Sequence, residues 1–223
     1  MDRKTHKTSI KEFSLQTSSY FVSPFRREKA SEFLGRVIES LGQHVDAKNT
    51  RFASKDLAFD YQLTVSLLGG AAQVVFEPHS VISTLQRGFN RQNVILVSDC
   101  FIKIFAAAMP SPVIHNQILF SAHCVFSNQS DYSEHMEPFI SKEIGIDSGG
   151  RLLSAVGRSF EGSVRIFTEK STTFENAIFV IETFVTKEPV QLDLFERMNS
   201  RSIELLDTLG LKIDFDDPVK PQS

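Results

Sequence analysis

From Leu57 to Leu67 the chain alternates with hardly a fault. Leu57, Phe59, Tyr61, Leu63, Val65 and Leu67 fall on one side, and Ala58, Asp60, Gln62, Thr64 and Ser66 on the other. Successive side chains of a strand point to opposite faces, so this pattern requires a strand with one buried face and one wetter face. Strands of that kind belong to antiparallel sheets; strands covered on both faces read as unbroken apolar runs. Gly69-Gly70 then supplies a turn, and Ala72 to Glu77 returns as a partner strand ended by Pro78.

Other segments extend this pattern. Ile10 to Val22 reads as a strand. Ser23-Pro24 suits a helix start, and Ala30, Phe33, Leu34, Val37, Ile38 and Leu41 form one helical stripe closed by Gly42. Ser80 to Arg87 reads as a short helix. Asn93 to Phe105 is apolar on both faces and reads as a central strand, turned by Met109 to Pro112. Ile114 to Phe126 returns with Ile118, Phe120, Ala122, Cys124 and Phe126 on one face. Asp131 and Glu134 resemble a capping box. The stretch 144–162, with five glycines, reads as a mobile loop. Val164 to Glu169 and Asn176 to Val185 form a strand pair, and Val190 to Leu209 a final helix stopped by Gly210.

The expected class is therefore α+β, mainly antiparallel sheet with helices on one face. The element order fits a tandem duplication of a βαββα unit, with halves at 10–92 and 113–213 joined by a central strand and turn at 93–112. Phe21-Val22-Ser23 and Val125-Phe126-Ser127 correspond, as do Glu77-Pro78 and Glu188-Pro189. Chance recurrence in an α+β chain fits equally well. Residues 1–9 and 214–223 read as disordered tails.

Composition excludes several classes. A net charge of -3 argues against a nucleic-acid partner, which needs clustered cations. No apolar run approaches the roughly 20 residues that span a bilayer, so no membrane partner is expected. No apolar leader segment is visible, and there are 2 cysteines; the expected location is cytoplasmic. The aromatics are 20 Phe, 3 Tyr and no Trp, rings that mostly fill core because Phe carries no polar handle.

Candidate chemistry is sparse. The histidines show no metal-ligand spacing; His115 and His123 share a strand face but lie roughly 26 Å apart. No metal and no cofactor is expected. Cys100 and Cys124 read as small buried hydrophobes, and no nucleophile elbow surrounds a serine. Gly149, Gly150 and Arg151, with Arg158 following, are a weak anion-binding candidate. Asp99 and Glu182 interrupt strongly apolar strands. An acid in such a place sits on a wet face, the expected case, or in a cleft with a perturbed pKa.

Two functions remain. The leading expectation is a non-catalytic binding or assembly module, partnered by a second copy as a homodimer or by another protein. The alternative is a small-ligand binder or enzyme with its pocket between the halves. That pocket would use Asp99, His123, Gly149, Gly150, Arg151, Arg158 and Glu182.

Overall fold

The computed structural model describes residues 5–26, 45–54, 61–86, 112–137 and 150–214, with residues 28, 29, 32, 35, 36, 38, 39 and 42. At its centre, β1 (His6–Phe21) and β6 (Val113–Phe126) run antiparallel along almost their whole length. On one side follow β5 (Ser80–Gln86), β4 (Ala72–Glu77), β3 (Tyr61–Leu67) and β2 (Val45–Ser54). On the other follow β9 (Ala177–Thr186), β8 (Gly162–Lys170) and β7 (Arg151–Val156). Short β10 (Leu211–Asp214) pairs parallel with His6–Ser9, while β5 takes the Ser14–Tyr20 stretch of the same edge. Among the described residues this is one ten-stranded, mostly antiparallel sheet.

Period-two patterning explains the core. Tyr61, Leu63, Val65 and Leu67 are buried, as the alternation predicts; positions 57–60 lie outside the described residues. Their ladder partners Phe76, Val74 and Ala72 are buried on the same face. The row continues through Val81 and Leu85 of β5, Phe13 and Leu15 of β1, and Ile118, Ala122 and Cys124 of β6. It ends in Val180 and Phe184 of β9 and Val164 and Ile166 of β8. Each large apolar side chain buried this way contributes about 1.5–3 kcal/mol.

Two α-helices are described end to end. α1 (Gln129–Met136) contacts this row through the rings of Tyr132 and His135, which meet Phe126. α2 (Leu192–Thr208) buries Leu194, Met198, Ser202, Leu205 and Leu206, the spacing of one helical face. A surface ion cluster fixes its entry. Arg197 pairs with Glu188 at 2.7 Å and Asp193 at 3.1 Å, and Glu188 also accepts the Glu161 backbone N–H.

Several expectations are corrected. The segment 80–86 is a strand, because Val81, Ser83 and Leu85 occupy one buried face. The glycine-rich stretch is not all loop: Arg151–Val156 is β7. Residues 6–9 are not a disordered tail but the paired start of β1. α1 is capped by Asn128, whose side chain accepts the Asp131 backbone N–H at 2.9 Å. The described positions from 28 to 39 are helical as predicted, although most of the predicted stripe lies outside the described residues. So do the strand at 93–105 and the turn at 109–111.

Candidate functional site

The described sequence candidates do not converge. Asp99 and Gly149 lie outside the described residues. Glu182 is paired in the ladder between Phe120 and Ile166, on the core face. His123 opposes Phe179, three residues from Glu182, and therefore points to the other face. Gly150 precedes β7, and a Cβ there would press into the Phe167 ring at 2.5 Å, so close packing accounts for this glycine. Arg151 opens β7, whereas Arg158 is exposed in the turn after it.

Glu182 is not on a wet face. It is 4% exposed, and among the described residues its carboxylate is hydrogen-bonded from α2, where Ser202 Oγ donates to Oε2 at 2.7 Å. Oε1 is buried with no hydrogen-bond partner among the described atoms. Loss of water pushes the carboxyl up from 4.5 to about 7, and the Ser202 hydroxyl only partly counters this. On the same face, burial and then the Glu182 charge push the Cys124 thiol up to about 12. A thiol held protonated is a poor nucleophile. His123 is half-buried, with Nδ1 3.0 Å from Ser171 Oγ and its ring against Phe174 and Phe179. Glu182 and Cys124 are thus sealed on one face and His123 lies on the other; its one described hydroxyl neighbour, Ser171, is buried and caps the Thr173 and Phe174 backbone N–H groups.

The other sheet face carries a cleft that sequence reasoning missed. About 540 Å³ in volume, it lies over β2, β3 and β4 and is lined by Asn49, Arg51, Gln62, Thr64, Ser66 and Gln73 among others. Gln62 and Thr64 are the wetter positions of the same alternation that buries Leu63 and Val65, whereas Ser66 is buried at its end. Amide and hydroxyl groups with one guanidinium donate and accept hydrogen bonds, and no carboxylate is among the described lining residues. Such a lining can hold a polar or anionic ligand but has no group to transfer its protons.

The two sheet edges differ. In β2 the register shifts between Asp46 and Arg51, and Asp46 ties the irregular stretch to itself. Its carboxylate accepts from the Lys48 backbone N–H at 3.1 Å and from Asn49 Nδ2 at 2.8 Å, and its carbonyl from Thr50 Oγ1 at 3.0 Å. A bulge of this kind blunts an edge. β7 has no bulge, and among the described residues it pairs only with β8. Leu152 is 63% exposed and Val156 72% exposed. A strand edge left unpaired among the described residues, with exposed apolar side chains, is a ready template for another strand.

No known family model matches this chain, and no curated protein matches its sequence significantly. Among the described residues no helix is long and apolar enough to cross a membrane.

Proposed function

We propose that this protein is a non-catalytic assembly module that self-associates as a homodimer through β7. The single observation behind the reading is the contrast of edges: β2 is blunted by a self-bonded bulge, whereas β7 is regular and carries exposed Leu152 and Val156. Antiparallel pairing of β7 with its own copy across a two-fold axis satisfies the outward backbone groups of both strands and covers both apolar pairs. In this reading the helices share one face of the sheet, and the sheets of two copies become continuous. The sealed state of Glu182 and Cys124 agrees with a role in binding rather than turnover.

The test is light scattering after gel filtration over a concentration series. The wild type is expected to reach twice the chain mass, and the Leu152→Lys/Val156→Lys variant to stay monomeric with an unchanged circular-dichroism spectrum. A wild type that remains monomeric at about 100 µM, weaker than most specific complexes, ends the proposal. So does a dimer that survives the double substitution.

A second reading has its own observation, the polar cleft over β2–β4. A small anionic ligand there would be held by Arg51 and the surrounding amides. Arg51→Ala is then expected to abolish binding of a carboxylate or phosphate probe without altering oligomeric mass.

A further inference from the structure

His6, at the start of β1, and α1, which follows β6, meet at the core edge. The His6 ring is 5% exposed and sits edge-on to Phe126 and His135, with centroids 6.1 and 6.0 Å away. Its Nδ1 is buried without a hydrogen bond, although Asp131 Oδ1 lies 3.4 Å away. A buried ring nitrogen that makes no hydrogen bond costs free energy, and this one faces the Asp131 carboxylate without bonding to it.

The atoms around it have metal-binding chemistry. Donor atoms of His6, Asp131 and Glu134 all lie within 4.8 Å of one another. Asp131 and Glu134 are three residues apart on one helix face, so their carboxylates can reach a single ion together with His6. Asn128 Nδ2 donates to Asp131 Oδ2 at 2.8 Å, which fixes the carboxylate and leaves Oδ1 toward His6. Ligating carboxylates are commonly held this way by a neighbouring hydrogen bond. Ligands about 2 Å from an ion sit about 3.3 Å apart, a distance reached from this arrangement by small side-chain rotations.

We propose that His6, Asp131 and Glu134 bind one divalent transition-metal ion, with Zn²⁺ the first choice for one imidazole and two carboxylates. Three protein ligands leave the remaining position to water. Sequence reasoning saw no metal-ligand spacing because the histidine and the acids come from opposite parts of the chain. The ion ties the first residues of β1, already paired to β10, to the helix that follows β6. The site shares no residue with the β7 edge, so either proposal can fail without the other.

The test is calorimetric titration of the full chain, stripped with EDTA, with zinc chloride, alongside thermal melts. One ion per chain is expected, with a Tm raised by several degrees. Glu134→Gln, which keeps the side chain's length and removes the charge of an exposed ligand, is expected to weaken binding at least tenfold. His6→Gln is expected to lose binding. No saturable binding up to about 1 mM Zn²⁺, an affinity far below that of any working zinc site, overturns the proposal. Undiminished affinity in Glu134→Gln overturns it equally.

Discussion

At Glu182 burial sets a pH dependence of stability. In the folded chain the carboxyl titrates near 7, and unfolded near 4.5, so between those values the folded state keeps a proton that the unfolded state has lost. Stability from this group is full below about pH 4.5 and is lost as pH rises through 7. The loss is on the order of 3 kcal/mol. Glu182→Gln is expected to remove this slope and to leave the protein more stable than wild type at pH 8. Urea melts from pH 4.5 to 8 measure it; parallel pH profiles for the two proteins would exclude the effect. The sequence marked Glu182 as unusual but not as buried. Alternation assigns residues to faces; it cannot say which face a helix from 20 residues away will cover through Ser202. The His6 cluster was illegible for a related reason, since only tertiary packing brings its members together.

Among the elements, strands with long strict alternation were legible, and short ones were not. β3 and β6 follow directly from their patterns. Ser80 to Gln86 misled because Val81 and Leu85 satisfy a helical spacing of four as well as a strand spacing of two. Over seven residues both periods fit, and the β-branched content was the better guide. β7 was hidden by its flanking glycines, of which Gly150 and Gly157 mark close packing rather than mobility. Gly162, the first residue of β8, shows the same cause: a Cβ there would sit 2.1 Å from the Val185 carbonyl oxygen. Gly162→Ala is therefore expected to cost about 1–3 kcal/mol through forced backbone shifts. Gly35→Ala, at an exposed helical position with nothing within 4 Å, is expected to be neutral or slightly stabilising. Denaturant midpoints of the two variants check this pair; equal values would mean the β8–β9 contact is not tight.

For the whole molecule the order of assembly follows from topology. Neighbouring hairpins β3–β4, β4–β5 and β8–β9 close short loops, whereas β1 must find β6 across the chain and β10 must then find β1. Loop-closure entropy rises with separation, so the pairing of His6–Ser9 with Leu211–Asp214 has the largest entropy to overcome and is expected to form last. That ordering separates two kinds of core substitution. Ile213 is buried in β10, and Ile213→Ala is expected to destabilise by about 2–4 kcal/mol. If β10 docks after the main barrier, nearly all of that loss speeds unfolding and the refolding rate hardly changes. Val74→Ala, in β4 between two short hairpin connections, is expected to slow refolding by a larger share of its own destabilisation. Stopped-flow folding and unfolding over a urea series gives both ratios. Refolding slowed by Ile213→Ala in full proportion to its destabilisation would place β10 in the folding nucleus and reverse the order.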